Sequence, residues 1–371
     1  MNVLHVYKTS FAISQGGIEE VLQQLCQATS VLGVNNRIVC LSAACKEKKI
    51  IETPQALIYC YPLTAEIASC GFSWSLWQDF KRLSNWADVV HYQFPWPFAD
   101  FLALTRQARS KPSVISYQSD IVRQKSWYRL YRPLMKCFLN KASAVVATSP
   151  KYIESSLVLN ALQQDVTLIP NGIGAEPELD LYQQEIKELE KTHNKGFFLF
   201  IGVFRYYKGL VYLLEAAKIT GLPLVVVGDG PERAAMARYI DEHKITNVRL
   251  LGRVSDQQKF ALISLAKALV LPSSERSEAY GMVLLEAARQ GTPMITTELG
   301  SGTSYINIDG ETGLVVPPKN PPALAKAMEY FESHDAELDQ MGRLAKERFD
   351  ANFTADIMGK RYQQLYQRLS S

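Results

Sequence analysis

Short apolar runs alternate with longer amphipathic stretches along the first half of the chain. The runs have the length of buried strands, and the stretches between them repeat apolar residues at helical spacing. Such alternation is typical of a mostly parallel, doubly wound sheet. Strands are predicted at 2–7, 37–42, 56–61, 88–91, 113–117, 144–148 and 166–169, and helices at 18–32, 74–86, 100–110, 127–139 and 150–159.

A second alternating set follows a polar stretch at 174–195, which is the predicted linker and has room for one short helix. This set predicts strands at 197–201, 224–227, 248–251, 268–271, 294–296 and 313–316, and helices at 209–218, 231–243, 256–265, 282–289, 322–332, 335–350 and 354–369. A chain of 371 residues is long enough for two domains with separate cores. We expect an α/β protein with two Rossmann-like domains facing across a cleft, residues 1–180 and 181–353. The C-terminal helix, within 354–371, is expected to pack back on the first domain.

Composition excludes several classes of protein. No run of about eighteen apolar residues exists, so no transmembrane helix is predicted. The chain begins directly with a strand pattern rather than with a basic and then apolar secretion signal. Its six cysteines form no CxxC pair, which disfavours a zinc site or a disulfide framework and favours the cytoplasm. A net charge of only +3 gives no support to nucleic-acid binding.

The segment 121–141 is basic and aromatic and contains no acidic residue. Its cations are Arg123, Lys125, Arg129, Arg132, Lys136 and Lys141, and its aromatic residues include Trp127, Tyr128, Tyr131 and Phe138. This combination suits an anionic membrane surface or a lipid-linked diphosphate. Peripheral attachment to the inner face of the cytoplasmic membrane is therefore one hypothesis, and a solvated helix face is the alternative.

In the stretch 273–289, Glu278 and Glu286 lie on either side of Gly281 and are separated by seven residues. A strand is predicted just before this stretch and a helix just after Gly281, which places Glu278 on the loop and Glu286 on the helix. Loops at the carboxyl ends of parallel strands bind ligands in α/β proteins. Free amides at a helix start favour phosphate, and a carboxylate before that start suits hydroxyl groups. The alternative is an exposed loop followed by an ordinary amphipathic helix.

Two further strand ends carry candidate phosphate ligands. Gly16 and Gly17 follow the first strand, where they either let the backbone approach a ligand or form a tight turn. They lack the GxGxxG spacing of a dinucleotide site. Arg205 and Lys208 follow the first strand of the second set, where cations can hold a diphosphate and stabilise it as a leaving group. The alternative is that Arg205 and Lys208 are two solvated surface charges. The glycines at 227–232 also follow a strand, and we interpret them mainly as a turn.

An aromatic and proline-rich loop begins at the end of the strand that contains His91. Aromatic faces stack on the apolar faces of sugar rings, so His91 and Trp96 are candidate residues for binding a sugar acceptor. Internal packing of the loop is the alternative. His5, in the first strand, is expected to be a core residue.

Together these motifs are more specific than any one of them. They are GGIE at 16–19, IPNGI at 169–173, YKG at 207–209, VGDGP at 227–231, SEAYG at 277–281 with EA at 286–287, GTP at 291–293 and GETGL at 310–314. In this order they resemble the retaining nucleotide-sugar glycosyltransferases of glycosyltransferase family 4, which have the GT-B fold. The resemblance covers nearly the whole chain.

The resemblance implies roles for the matching residues. Glu278 would bind hydroxyls of the donor sugar, Glu286 the ribose of the nucleotide, and Lys208 the diphosphate. Gly16 and Gly17 would lie against the donor phosphates or the transferred sugar. Further backbone amides would meet the phosphates at Tyr280, Gly281, Met282 and Val283. No metal or other cofactor is expected, because protein cations and helix ends do the work of a divalent ion. The first domain would bind the acceptor and the second the nucleotide sugar.

Two positions depart from the family pattern. Val203 stands where the family usually has arginine, so Arg205 is expected to substitute for it or Lys208 to carry the phosphate charge with less help. Lys208, Glu278 and Arg205 are thus the candidate catalytic residues. Gln118 stands where a histidine is common; it can hydrogen-bond a sugar hydroxyl but cannot titrate. Gln118 and the nearby Asp120 join the candidate acceptor-binding residues. In the retaining mechanism proposed for such folds, the leaving phosphate takes the acceptor proton, so no protein nucleophile is needed.

We therefore expect a metal-independent hexosyltransferase that acts on a lipid-linked glycan in bacterial surface-polysaccharide (O-antigen-type) synthesis, with GDP-mannose as the first donor candidate. A UDP-sugar-dependent hexosyltransferase, a non-catalytic sugar-nucleotide or glycan-binding protein, and an epimerase of the same fold are the alternatives. The sequence leaves the oligomeric state open.

Overall fold

The computed structural model describes residues 1–14, 16–67, 70–121, 125–175, 183, 185–187 and 196–370, with side chains of the helix at 125–141 described from residue 129 onward. The chain divides into two compact units. Unit 1 comprises Met1–Gly174 with Thr354–Ser371, and unit 2 comprises Ala175–Phe353. Most of the predicted linker, Arg123, and the side chains of Lys125, Trp127 and Tyr128 lie outside the described residues.

Unit 1 is a parallel α/β layer structure. Its strands are β1 (Asn2–Val6), β2 (Asn35–Ser42), β3 (Lys49–Thr53), β4 (Ala56–Pro62), β5 (Ala65–Ile67), β6 (Cys70–Phe72), β7 (Val89–Phe94), β8 (Ser113–Tyr117), β9 (Ala144–Ala147) and β10 (Val166–Leu168). Its helices before residue 175 are α1 (Gly17–Ser30), α2 (Trp74–Trp86), α3 (Pro97–Ala103), α4 (Lys125–Lys141) and α5 (Pro150–Ser155).

In its described part, the main sheet of unit 1 has the order β10-β9-β8-β7-β1-β2-β4-β3, and β5 pairs separately with β6. The main sheet is parallel except for the antiparallel β3–β4 pair. Because the strand order reverses between β1 and β7, the loops that follow these two strands meet at a topological switch point. Gly16 and Gly17 lie after β1, and Trp96 lies after β7.

The C-terminal helix, Ala355–Ser370, belongs to unit 1 by its contacts. It packs closely on α1, since a Cβ on Gly359 would lie 2.6 Å from the Cβ of Ala28. Two residues of this helix, Tyr362 and Tyr366, are buried and hydrogen-bond to side chains on β8 and β7. This helix therefore completes the core of unit 1 from the far end of the chain.

Unit 2 is a second parallel α/β structure. Its strands are β11 (Phe198–Ile201), β12 (Leu224–Val227), β13 (Val248–Gly252), β14 (Ala268–Leu271), β15 (Met294–Thr297) and β16 (Gly313–Val316). Its helices from residue 196 onward are α6 (Leu210–Thr220), α7 (Arg233–Glu242), α8 (Asp256–Leu265), α9 (Met282–Arg289), α10 (Thr303–Ile306), α11 (Pro321–Ser333) and α12 (Asp335–Asn352). The strand order is β13-β12-β11-β14-β15-β16, and all neighbours are parallel. The order reverses between β11 and β14, which is the switch point of this unit.

Some elements differ from the sequence-based expectation. The helix expected at 100–110 is divided into α3 and a 3₁₀ turn at Ala108–Ser110, and α5 ends earlier than expected. The edge strand β3, the small β5–β6 pair and α10 were not expected. β3 is mostly exposed and polar at both ends, so its pattern resembles that of a loop.

Two features are absent among the described residues. No helix there combines the length and the apolar character needed to cross a bilayer. No group of three or more His, Cys, Asp or Glu side chains there is arranged to hold a metal ion.

Candidate active site

Lys208 and Glu278 form an ion pair at the carboxyl edge of the unit 2 sheet. The Nζ atom of Lys208 lies 2.5 Å from Oε2 of Glu278, and the two side chains are only 13% and 8% exposed. The Ser273 hydroxyl donates to the same carboxylate oxygen at 3.0 Å. Burial disfavours the Lys208 ammonium, but the charge and hydrogen bond of Glu278, together with Tyr207, outweigh this effect and raise the pKa of Lys208. Lys208 therefore remains a cation around neutral pH.

The sheet topology explains why these two residues meet. Lys208 ends a 3₁₀ turn that follows β11, and Glu278 lies on the loop after β14. β11 and β14 are neighbours at the switch point of the unit. The amide of Ser274 donates to the carbonyl of Tyr207 at 2.7 Å, which ties the two loops together.

Gly209 permits the close approach of these loops. It adopts a left-handed conformation with φ 67°, and a Cβ at this position would lie 2.0 Å from the carbonyl oxygen of Pro272. A residue with a side chain would therefore push the loop after β14 away from Lys208.

The start of α9 provides amides next to the Lys208–Glu278 pair in sequence. Gly281 has φ 84° and precedes the first helical residue, Met282. The amide of Leu284 donates to the carbonyl of Gly281, whereas the first-turn amides of Met282 and Val283 have no acceptor within the helix. These amides carry the positive end of the helix dipole, where phosphate is favoured.

Neighbouring residues hold the loop that carries Glu278. The guanidinium of Arg276 donates to the carbonyls of Leu299 and Gly300, and the amide of Gly302 donates to the carbonyl of Ala279 at 2.8 Å. The loop is thus fixed on the side of β15 as well as on the side of β11, which favours a preorganised binding site.

Glu286 has a partner that the sequence analysis missed. Lys259, in the first turns of α8, donates to Oε1 of Glu286 at 2.9 Å and also lies 3.2 Å from Asp256. Burial opposes the charge of Lys259, but Glu286 and then Asp256 raise its pKa. The sequence offered one indication of this role, since Lys259 is a cation in a helix that starts after β13, at the carboxyl edge of the sheet. Its pairing with Glu286 could not be predicted, because the two residues are 27 positions apart and no local sequence pattern connects them.

Arg205 and Val203 lie on the same loop as Lys208. Arg205 is exposed and lies just before the 3₁₀ turn that ends at Lys208, and Val203 is 49% exposed. The glycine turn at 227–232 supports this loop from behind, since a Cβ on Gly228 would lie 1.9 Å from the carbonyl oxygen of Gly202. Both cations therefore share one loop, although Val203 occupies the usual arginine position.

The Gly16–Gly17 pair lies at the start of α1 in unit 1. Gly16 is extended and precedes α1, and Gly17 is its first residue. A Cβ on Gly16 would lie 2.5 Å from Oε2 of Glu19, whose other carboxylate oxygen accepts from Ser14. A carboxylate therefore already lies at this helix start, which favours a sugar hydroxyl over a phosphate here.

The structure corrects the expectation for His91 and Trp96. His91 is fully buried, and its ring nitrogens lie 2.7 Å from Ser116 Oγ and 2.7 Å from the hydroxyl of Tyr366. Trp96 is 1% exposed and donates from Nε1 to the carbonyl of Gly71. Both residues are core residues here, because the loop packs inward and leaves neither ring free to stack on a sugar.

Gln118 and Asp120 lie at the carboxyl edge of β8. Gln118 is largely buried and donates to Oε1 of Gln93 at 2.9 Å. Asp120 accepts hydrogen bonds from the hydroxyls of Tyr117 and Ser156 through one oxygen, Oδ1. The role of both in binding an acceptor stays a prediction.

Comparison with known proteins shows the family to which this chain belongs. Residues 182–348 match the model of the glycosyl transferases group 1, and residues 15–176 match that of glycosyltransferase family 4. D-rhamnosyltransferase WbpZ of Pseudomonas aeruginosa is 42% identical over 355 residues, which cover 96% of this chain and 93% of that protein. This chain belongs to glycosyltransferase family 4.

A second relative and two solved structures are also similar over nearly the whole chain. The O-antigen chain mannosyltransferase C of Escherichia coli is 38% identical over 369 residues, which cover 100% of this chain and 99% of the relative. Among solved structures, sucrose-phosphate synthase of Thermosynechococcus elongatus has a TM-score of 0.79 at 21% identity, covering 99% of this chain and 98% of that one. HepE of Anabaena, solved with UDP, has a TM-score of 0.78 at 14% identity and covers both chains fully. The glycosyltransferase thus has the GT-B fold, with two Rossmann-like domains.

Proposed function

We propose that this glycosyltransferase moves a mannosyl residue, or its 6-deoxy counterpart, from a nucleoside diphosphate sugar to a lipid-linked glycan during synthesis of an O-antigen-type polysaccharide. GDP-mannose is the first donor candidate. The observation that carries the proposal is the buried Lys208–Glu278 pair beside the start of α9. It offers a cation, a carboxylate and free amides at the switch point of one unit.

The names of the two relatives support the choice of sugar. One is named a D-rhamnosyltransferase and the other an O-antigen chain mannosyltransferase. D-rhamnose is 6-deoxy-D-mannose, so both names describe sugars of one configuration. A donor of that configuration is therefore the first to test.

The Lys208–Glu278 pair can bind both the sugar and the phosphate of the donor. An ammonium has three N–H donors, so Lys208 can keep its bond to Glu278 and donate to a phosphate oxygen as well. Negative charge grows on that oxygen when the bond to the sugar breaks, and a fixed cation stabilises it. Oε1 of Glu278 remains to accept from sugar hydroxyls, while Glu286 would accept from ribose.

The proposed reaction retains the anomeric configuration. The bond between C1 and the diphosphate breaks, the acceptor oxygen bonds C1 on the same face, and the acceptor proton passes to the leaving phosphate. No protein nucleophile takes part. NMR of the purified product tests this, since an inverted anomeric centre would refute the mechanism.

A donor panel tests the reaction and its base preference. The protein is incubated with GDP-mannose, GDP-D-rhamnose, UDP-glucose and UDP-N-acetylglucosamine, each with a lipid-linked acceptor and with no acceptor. We expect transfer from a GDP sugar only when the acceptor is present. Transfer from a UDP sugar alone would replace the donor assignment, donor conversion without acceptor would indicate an epimerase, and nucleotide binding without turnover would indicate a non-catalytic protein.

Variants of the pair test the site. Lys208→Ala and Glu278→Ala should each lower kcat at least about 100-fold, the scale of one lost transition-state contact. Arg205→Ala should have a smaller effect if Lys208 carries most of the phosphate charge. Equal losses in all three variants would instead show that Arg205 replaces the arginine absent at Val203.

Metal independence is part of the proposal. Lys208 and the start of α9 would supply the positive charge that a divalent ion supplies elsewhere. Activity should survive incubation with EDTA followed by gel filtration. Activity that is lost in EDTA and restored by Mg²⁺ or Mn²⁺ would contradict this.

Attachment to the inner face of the cytoplasmic membrane is also proposed. Arg129, Arg132 and Lys136 are exposed on α4, and Leu130, between them, is 77% exposed. Cations interspersed with an exposed apolar side chain suit an anionic lipid surface. Sedimentation with vesicles that contain phosphatidylglycerol should fall in the double variant Arg132→Glu, Lys136→Glu and not in Lys218→Glu. Unchanged sedimentation would favour a solvated helix face.

A further inference from the structure

We propose that unit 1 holds a second, non-catalytic glycan-binding site at the amino edge of its sheet. A cavity of about 480 Å³ lies there. Its wall includes Asn35, Arg37, Thr53, Gln55 and Trp86. This inference rests on the proposed function, because it assumes that the acceptor is a glycan.

Arg37 is the most unusual group in this cavity. Its guanidinium carbon lies 3.8 Å from the ring centre of Trp86 and 5.6 Å from that of Tyr59. Its Nε is buried without a hydrogen-bond acceptor, and no acceptor for its other N–H groups is found among the described residues. A guanidinium with five donors and no acceptor is rare at a partly buried position. A ligand rich in oxygen would satisfy the exposed part of it.

The remaining wall groups fit hydroxyls. The side-chain amide of Gln55 makes no hydrogen bond within the described part of the chain. Asn35 donates to Asn2 at 3.1 Å and keeps its own carbonyl oxygen available. Amides offer both donors and acceptors, as sugar hydroxyls require.

The charge of the cavity favours a neutral glycan over an anion. Among the described residues that line it, none carries a carboxylate and only Arg37 carries a charge. The ends of α1 and α2, at Ser30 and Trp86, also line it, and a helix C-terminus carries partial negative charge. These ends offset the guanidinium, which leaves little attraction for phosphate or carboxylate.

The cavity lies at the opposite edge of the unit 1 sheet from the candidate ligand-binding residues of that unit. Asn35 and Arg37 start β2, whereas Gly16, Gly17 and Gln118 lie beyond the carboxyl ends of their strands. A strand rises about 3.3 Å per residue, so the five residues of β1 separate the two edges by roughly 17 Å. Only a glycan longer than this span can occupy both edges of one molecule. The second site should therefore help long acceptors and leave short ones unaffected.

The test compares acceptors of two lengths. KM and kcat are measured with a single-sugar acceptor and with an oligosaccharide acceptor longer than the span. Gln55→Ala and Arg37→Ala should raise KM for the long acceptor about tenfold and change neither KM nor kcat for the short one. Arg82→Ala, which removes an exposed arginine of the same unit that pairs with Asp79, is the matched control and should behave as wild type. Equal KM changes for both acceptors, or none for either, would overturn the proposal.

A binding experiment separates this inference from the proposed function. The Glu278→Ala variant is titrated by calorimetry with the long oligosaccharide, with inorganic phosphate, and with the oligosaccharide after adding Gln55→Ala. We expect oligosaccharide binding that the Gln55 change weakens, even if no donor supports transfer. Phosphate binding that is lost when Arg37→Ala is added, or oligosaccharide binding that Gln55→Ala leaves unchanged, would refute a glycan site here.

Discussion

At the scale of single residues, the candidate donor site is a set of lysine–glutamate pairs. Glu278 bonds Lys208 at 2.5 Å, and Glu286 bonds Lys259 at 2.9 Å. In both pairs the carboxylate is predicted to bind hydroxyls, of the sugar in one case and of the ribose in the other. Each lysine fixes the orientation of its carboxylate and leaves N–H donors unused.

Lys259 should therefore contribute to nucleotide binding through Glu286. In Lys259→Met the stem of the side chain remains while the charge that holds Glu286 is lost. We expect the Kd for the nucleoside diphosphate to rise roughly tenfold, about 1.4 kcal/mol. Calorimetry with Glu286→Gln and the double variant completes a mutant cycle.

The control for this change is Lys267→Met. Lys267 also pairs with carboxylates of unit 2, Glu332 and Asp335, but it precedes β14 at the amino edge of the sheet. Its loss should leave nucleotide affinity unchanged. Tighter binding by Lys259→Met would mean that Lys259 competes with the ribose for Glu286.

Gly209 and Gly221 allow a matched test of backbone geometry. Both are left-handed, with φ 67° and 68°, so alanine strains either backbone by about 1–2 kcal/mol. A Cβ on Gly209 meets Pro272 at 2.0 Å, whereas one on Gly221 meets nothing within 4 Å. Gly209→Ala should abolish measurable donor binding, while Gly221→Ala lowers only stability. Normal binding by Gly209→Ala would show that the loop after β14 can move without harm.

At the scale of elements, a buried carboxyl joins α3 to α4. Asp100 on α3 is 1% exposed and accepts from the hydroxyl of Tyr131 on α4. Burial raises the pKa of Asp100 to about 8, although the bond from Tyr131 lowers it. The folded state therefore binds a proton that the unfolded state releases near pH 4.

The stability of unit 1 should accordingly fall as pH rises toward 8. The slope should be close to its full value of about 1.4 kcal/mol per pH unit at pH 6.5, roughly half of that at pH 8, and should vanish at higher pH. All five tryptophans lie before residue 175, so their fluorescence during urea unfolding reports on unit 1. Asp100→Asn should flatten this slope, and the exposed control Glu52→Gln should not. A slope that survives in Asp100→Asn would assign it to another group.

Elements with strong periodicity could be predicted from the sequence, and pairings between distant elements could not. The positions of Lys208 and Glu278 after strand ends could be predicted, because a short apolar run precedes each of their loops. The antiparallel β3 was missed because its residues are mostly exposed. Trp96 was misassigned because an aromatic side chain suits a buried core as well as a sugar, and only its burial distinguishes them.

At the scale of the whole molecule, the two ends of the chain share one core. His91 on β7 bonds Tyr366 of the C-terminal helix and Ser116 of β8, and its ring lies 5.2 Å from that of His5 on β1. Tyr362 of the same helix lies 2.5 Å from Ser116. The final helix thus depends on histidines that remain neutral inside the sheet layer.

This dependence predicts acid sensitivity of unit 1. Burial lowers the pKa of His5 to about 4 and that of His91 well below its usual value. The unfolded chain binds these protons near pH 6.5, so their contribution to stability is complete above pH 6.5 and is lost as pH falls toward 4. Each histidine should add up to about 1.4 kcal/mol per pH unit to the slope.

The acid slope is best measured in the Asp100→Asn background, because Asp100 titrates with the opposite sign over the same range. Tryptophan fluorescence in urea should show the free energy of unfolding falling from pH 6.5 to 4. Adding His5→Gln should remove about half of the fall, since one neutral histidine remains. Adding His243→Gln, which changes an exposed histidine of unit 2, should remove none. If stability stayed constant over this range, the histidines would be protonated within the fold, and the final helix would not depend on their neutral form.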